Sequence, residues 1–345
     1  MDKVCFDASK MQNMQSGLGQ FCFHLASAIQ NHPHHYTFKA LVPDKLHSTV
    51  QYPFSTQSIL WYQRYLTPVR AQVLHCTHQE SYFKPAVGCK MVLTIHDLNF
   101  LHRKLPAWKQ KLRLWKIQKK IDASHTLVFI SEYVKNECAR KLSFNNKPTH
   151  VIYNGVPHLG NKLQKPKGIP EEPFLFSIGV MQHRKNFAVL IDMLPYLPGF
   201  NLVIAGQHNK SCYPELLQLA KTRGISERVF FPGAISDEER HWLYAHCRAF
   251  VFPSLAEGFG LPVVEAFSLG KPVVLSKFTS LPEIGGKYAH YFDDFEPGNM
   301  AAAVNRAMLD NAPEKQEARK KYAAGFSWEK AALAYHELYQ SLLKL

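Results

Sequence analysis

One alternation, run twice along the chain, restricts it to a single fold class. Short apolar or β-branched runs at 4–7, 37–42, 72–76, 91–95, 126–130 and 149–153 are separated by segments long enough for helices, and the pattern restarts at 174–178, 202–205, 229–231, 249–252 and 273–275. Neighbouring parallel strands need a long crossover, which a helix makes compactly, so the alternation predicts an α/β chain with parallel sheets covered on both faces. Between the two series, residues 155–173 turn to Gly, Pro, Asn and Lys and read as a linker. At 345 residues the chain exceeds one ordinary core, which agrees with two such units. Ligands of open parallel sheets bind beyond the carboxyl ends of the strands, so chemistry is expected just after each run.

In the second series, Ser254-Leu-Ala-Glu257-Gly258-Phe259-Gly260-Leu261-Pro262-Val-Val-Glu265 sets two carboxylates eight positions apart, with a glycine-bearing loop and a helix start between them. Pro262 suits the first helical position and Gly270 the left-handed position past the end, which predicts a short helix over 262–269. Its first amides, at Gly260 and Leu261, and the positive end of its dipole make a phosphate site. Carboxylates repel phosphate, so Glu257 and Glu265 read either as grips for hydroxyls or as solvated glutamates on a plain connection. After 174–178 come Arg184 and Lys185, either the adjacent cations that a departing diphosphate needs or an inconsequential surface pair.

In the first series, Ser16-Gly17-Leu18-Gly19-Gln20 leads a strand into a helix. It lacks the third glycine and the later acidic residue of a dinucleotide fingerprint, which argues against a dehydrogenase. His75 and His78 have the spacing of a metal pair on a helix, but on a strand end their side chains diverge and no third ligand is near, so no metal is expected. His96-Asp97 closes the run 91–95, where an α/β active-site residue is expected; a histidine satisfied at a domain interface is the other reading. From Arg103 to Lys120 there are eight basic residues and no acidic one, with Leu105, Trp108, Leu112 and Trp115 spaced 3, 4 and 3 apart. This helix either lies on anionic lipid through Trp108, Lys109, Lys111, Trp115 and Lys116 or buries its tryptophan stripe in the core.

The formal net charge of +14 implies an anionic partner: nucleic acid, a nucleotide-activated substrate or an anionic membrane surface. No zinc-finger or aromatic-glycine RNA motif accompanies it, which disfavours a nucleic-acid-binding protein. No run reaches the roughly eighteen apolar residues of a membrane span, and Met1-Asp-Lys-Val lacks a signal-peptide layout, so a cytoplasmic protein is expected. Seven cysteines without a Cys-x-x-Cys pair fit reduced, mostly buried thiols.

Taken together the segments resemble the family-4 retaining glycosyltransferases. The resemblance runs over nearly the whole chain, through Glu257 and Glu265 in Glu-Gly-Phe-Gly-Leu-Pro-Val-Val-Glu-Ala, Arg184-Lys185-Asn186, Asn154-Gly155-Val156, Ile204-Ala-Gly206, Phe231-Pro-Gly233 and Ser327-Trp328. It implies a GT-B fold of two facing Rossmann-like domains. Residues 1–160 would form an acceptor-binding domain, 161–326 a nucleotide-sugar-binding domain, and 327–345 a helix crossing back to the first. By position it implies that Glu257 holds the donor sugar, Glu265 the ribose, and the loop Gly258, Phe259, Gly260 and Leu261 the diphosphate. Arg184 and Lys185 would neutralise the leaving nucleotide, Gly17 and Gly19 would close on the phosphates, and Ala234 and Ile235 would border the base. His96, with Asp97, would stand near the reacting face and the acceptor. Two departures stand out: Ser16 replaces the first glycine of the usual N-terminal pair, and Val180 stands where a basic residue often follows the strand-end glycine.

The activity implied is metal-independent hexosyl transfer with retention, without a cofactor, from a nucleoside-diphosphate sugar to a glycan or lipid-linked glycan at the inner face of the cell membrane. GDP-mannose leads as donor, with UDP-glucose and UDP-N-acetylhexosamine as alternatives. The setting is surface-polysaccharide or lipopolysaccharide biosynthesis. An epimerase, or a phosphorylase holding pyridoxal phosphate on a lysine, are the rival enzymes.

Overall fold

The computed structural model describes residues 3–14, 16–47, 50–60, 62–102, 105–156, 162–170 and 173–344. Residues 157–161 and 171–172 of the expected linker, and Arg103 and Lys104 of the basic stretch, lie outside the described residues. The chain divides into two compact units, Met1–Gly155 with Phe326–Leu345, and Val156–Gly325.

The first unit holds β1 (Lys3–Asp7), β2 (Thr37–Pro43), β3 (Thr56–Ile59), β4 (Val73–Cys76), β5 (Lys90–Ile95), β6 (Thr126–Phe129) and β7 (Thr149–Val151) in one seven-stranded sheet of order β3-β2-β1-β4-β5-β6-β7. The second holds β8 (Phe174–Ile178), β9 (Asn201–Ala205), β10 (Val229–Gly233), β11 (Ala249–Phe252), β12 (Val273–Leu275) and β13 (His290–Tyr291) in a six-stranded sheet of order β10-β9-β8-β11-β12-β13. Every named pairing is parallel. Two parallel-sheet α/β units are what the alternation predicted, and their Rossmann type is what the resemblance implied. The strands without a sequence signal are β3, whose Thr-Gln-Ser-Ile is polar, and the two-residue β13; both are edge strands, which need not be apolar on two faces.

Strand order reverses between β1 and β4 in the first sheet and between β8 and β11 in the second. Loops leave such a point in opposite directions and open a crevice at the carboxyl ends of the strands.

The helix Trp328–Leu343 starts at a Ser327 N-cap whose hydroxyl accepts from Lys330 N. It buries Trp328, Ala331, Tyr335, Leu338, Tyr339 and Leu342 in the first unit's core, among Phe21, Leu25, Ile29 and Phe38. Each large side chain so buried contributes about 2 kcal/mol. Hydrogen bonds fix its register: His75 lies between Tyr339 Oη at 2.6 Å and Thr94 Oγ1 at 2.7 Å, and Thr94 meets Tyr335 Oη. His75 is thus consumed by packing between strand and helix. The basic helix, Ala107–Ala123, resolves its two readings differently: Ile117 and Ile121 are its buried residues, while Trp108, Leu112 and Trp115 are exposed.

Candidate functional site

At the reversal point of the second sheet, β8 delivers Gly179 and the turn His183–Lys185, and β11 delivers Ser254 and the Glu257 loop. A side chain on Gly179, at φ +151°, would meet the Lys185 stem at 2.9 Å, so the glycine leaves the room in which Lys185 folds back. Asn186 ends the turn in the left-handed conformation that asparagine tolerates. The turn buries Lys185 to 7% exposure and aims its ammonium at Glu257.

Glu257 uses its two oxygens unequally. Oε1 accepts from Lys185 Nζ at 2.6 Å, Ser254 Oγ at 2.6 Å and Arg184 Nη1 at 3.3 Å. Oε2 accepts from no described residue, and it is not among the fully buried orphan atoms. Burial raises the Glu257 carboxyl, but Lys185, Arg184 and the donated hydrogen bonds outweigh it and hold the group below its ordinary value. Burial lowers the Lys185 ammonium, opposed by Glu257. The proton stays on the lysine, because the carboxylate also has Arg184 and Ser254 to stabilise its charge. Lys185 lies 4.7 Å over the Phe252 ring, and Arg184 anchors further on Ala256 O and Gln182 Oε1 while its Nη2 has no partner among the described residues.

The helix between the glutamates is Leu261–Ser268, one residue earlier than the sequence predicts, so Pro262 is its second residue. Gly260 is the N-cap at φ +107°, a conformation that excludes most side chains. Gly258, Phe259 and Gly260 are buried and Leu261 is half-buried. Glu265, expected to face a ligand, is turned into protein: Tyr244 donates to its Oε2 at 2.8 Å, and Arg240 Nε stands 3.7 Å from Oε1. Both partners come from the helix Asp237–His246, started by the Ser236–Glu239 capping box that the sequence shows. Burial, then the Glu265 charge, pushes the Tyr244 hydroxyl well up, so it donates. Ala234 and Ile235 lie on the short loop between β10 and that helix, Ala234 exposed.

In the first unit, Gly17 and Gly19 are not a loop but the first turn of the helix Gly17–Asn31, and Ser16 is its N-cap, accepting from Gly19 N at 3.1 Å. The serine that departs from the family pattern supplies the cap, and the Gly19 amide is engaged by it. At the end of β5, His96 is buried, edge-on to Phe21 with centroids 4.5 Å apart. Its Nε2 donates to Thr77 O at 2.8 Å, which leaves Nδ1 as a lone pair without a described partner. Burial pushes the imidazole down to about 3, so it is neutral. Gln79 clamps the dipeptide His96-Asp97 by accepting from His96 N and donating to Asp97 O. His78, beside Asp7 at 3.7 Å, is lowered by burial to about 4 and its Nε2 has no hydrogen-bond partner among the described residues.

The structure therefore brings Arg184, Lys185 and Glu257 together, and separates Glu265 from them with its own partners. Sequence reading missed Ser254 as a donor, Tyr244, Arg240, Thr77 and Gln79. Only Ser254 carried a local signal, three residues before Glu257; the others act across 17 to 25 positions.

Comparison with known proteins gives the same division. Residues 161–326 match the family "Glycosyl transferases group 1" and residues 17–158 match "Glycosyltransferase Family 4". The serotype-specific mannosyltransferase WbdA of Escherichia coli is 32% identical over 51% of this chain, but the match spans only 22% of that protein. The O-antigen chain mannosyltransferase B of Escherichia coli is 26% identical over 73% of this chain and 70% of its own. Among solved structures, sucrose-phosphate synthase from Thermosynechococcus elongatus superposes with a TM-score of 0.80 at 17% identity, covering all of both chains.

Proposed function

This chain belongs to the family-4 glycosyltransferases, on a GT-B fold, and from that premise we propose that it is a retaining hexosyltransferase using GDP-mannose. The acceptor is a hydroxyl of a surface-polysaccharide or lipopolysaccharide glycan. Supporting this setting are relatives named for O-antigen and serotype-specific mannose transfer.

The observation that carries the reading is the asymmetry of Glu257: one oxygen is held by two cations and a serine, the other is open to a ligand hydroxyl. Oε2 accepts from the sugar while Arg184 Nη2, the remaining N–H groups of Lys185 and the amides at Gly260 and Leu261 meet the diphosphate. Oε1 of Glu265 takes the ribose. The bond from the anomeric carbon to the phosphate oxygen breaks with its electron pair leaving on the diphosphate, and the acceptor oxygen bonds the same face. Its proton passes to the departing phosphate oxygen. Fixed cations and amides stabilise that leaving charge, a role worth several kcal/mol in a water-poor site. The sequence has no aspartate-x-aspartate element to hold a bridging metal, and the proposed reaction uses none. His96 Nδ1, neutral, accepts from a substrate hydroxyl.

Release of nucleoside diphosphate from GDP-mannose, UDP-glucose and UDP-N-acetylglucosamine tests this. GDP-mannose should be turned over, and Glu257→Ala and Arg184→Ala should each slow it by about a hundredfold. Turnover of a UDP-sugar alone would replace the donor, and variants matching the parent would remove the site.

A membrane surface is the second reading, favoured by one observation. On Ala107–Ala123, Trp108, Leu112 and Trp115 are exposed, Lys119 stands over Trp115 at 4.3 Å and Lys109 over Trp108 at 5.3 Å. Lys111 and Lys116 flank that apolar line, an arrangement suited to anionic headgroups. No helix among the described residues is long and apolar enough to cross a membrane, so attachment here is to the surface. Co-sedimentation with phosphatidylglycerol vesicles should fall in a Lys109→Gln, Lys111→Gln, Lys116→Gln variant; unchanged binding would reject the helix as the anchor.

A further inference from the structure

Glu257 immediately precedes Gly258 and the left-handed Gly260, in a loop whose own backbone is permissive. What holds it comes from the connection after β12, Ser276 to Ser280. The Glu257 amide donates to Thr279 Oγ1 at 2.9 Å, and Ser280 Oγ, fully buried, reaches Glu257 O at 3.0 Å and Phe259 O at 2.9 Å. Ser276 Oγ donates to Ser254 O, the residue whose own hydroxyl meets Glu257 Oε1. Both backbone polar groups of Glu257 are thus taken by two consecutive hydroxyls.

Thr279 does this at φ +55°, a left-handed conformation that a β-branched residue adopts only when its surroundings enforce it. Glycine or asparagine satisfies that backbone at less cost but offers no equivalent short hydroxyl to the Glu257 amide. We infer that Thr279 is a positioning residue for the transfer reaction: its hydroxyl fixes the Glu257 backbone so that Oε1 meets Lys185 and Oε2 stays aimed at the donor, at the expense of local strain. The inference rests on the reading of Glu257 as the group that meets the donor sugar.

Three substitutions separate positioning from folding. Thr279→Gly removes the strain and the hydroxyl together, Thr279→Val keeps the branched shape without the acceptor, and Thr279→Ser keeps the hydroxyl. Under saturating donor, with release of nucleoside diphosphate and thermal midpoint both measured, Thr279→Gly should melt no lower than the parent yet turn over about tenfold more slowly, since a small misplacement of a catalytic group is costly. Thr279→Val should be similarly slow, and Thr279→Ser should restore parental kcat. A Thr279→Gly variant with parental kcat, or activity that follows the melting midpoint across the series, overturns the inference. Glu257→Gln is run alongside: a parental rate there overturns both the site reading and the inference, whereas a slow Glu257→Gln with a fully active Thr279→Gly overturns the inference alone.

Discussion

At the carboxyl ends of β8 and β11 the second unit buries a carboxylate between an ammonium and a guanidinium, whereas at the ends of β4 and β5 the first unit buries imidazoles that carry no charge. Both sets of groups follow the carboxyl ends of parallel strands, and the physical solution is opposite. Taking an ion out of water is affordable only beside a counter-ion with its hydrogen bonds made, which Glu257 has. His96 has a carbonyl and an aromatic edge instead, so burial simply removes its proton. Under the proposed reaction, the fixed charge of the second unit suits a charged leaving group, and the neutral lone pair of the first suits an uncharged hydroxyl.

Acid should break the two regions apart, with the largest effect expected. His75, His78, His96 and His336 are held at about 3, 4, 3 and 4, against 6.5 when unfolded, each chiefly by burial. The unfolded chain therefore binds protons that the folded unit refuses. Their contribution is complete above pH 6.5 and is lost as pH falls toward 3 to 4, by about 1.4 kcal/mol per pH unit per histidine. The lowered Glu257 pKa works in the same direction but begins only below its ordinary 4.5. Between pH 6.5 and 4.5 the first unit should thus melt at falling temperature while the second holds. Tryptophan emission in Trp328→Phe and Trp242→Phe variants assigns each transition, and parallel decline of both units would remove the distinction.

A smaller effect sharpens the charged side. Lys185→Ala leaves the buried Glu257 carboxylate with Arg184 and Ser254 alone, and should cost about 3 kcal/mol of stability in the second unit together with most of the turnover. Lys185→Arg should restore part of each. An alanine variant with a parental melting midpoint would show that the pair adds nothing to the fold.

How far these features were legible follows the range of the interactions. The helix after Glu257 was readable because Pro262 and Gly270 mark its ends locally, and the boundary error was one residue. The Glu257–Lys185 pair was readable only as two strand ends of one sheet, since the contact spans 72 positions. The surroundings of Glu265 were not readable, because its spacing from Glu257 carries no trace of Tyr244, which reaches it from another helix. The tryptophan stripe was ambiguous because its spacing serves core and surface alike; Ile117 and Ile121 supply a second stripe, and tertiary packing chose it. The partner of His75 was not readable, because Tyr339, which meets its Nδ1, lies 264 positions on.

The smallest expected effect tests the neutral side. His96→Gln keeps a donor for Thr77 O on a longer, flexible chain and loses the rigid Nδ1 lone pair, so kcat/KM should fall by about tenfold, the worth of one hydrogen bond, with little change in melting. The pH profile decides more than the rate does. An imidazole already neutral down to about pH 3 adds no inflection between pH 5 and 8. The parent and His96→Gln should therefore give parallel profiles across that range. A limb near pH 6.5 in the parent that disappears in His96→Gln would mean that the imidazole titrates in solution. The contrast between a charged second unit and an uncharged first would then fail at the residue on which it turns.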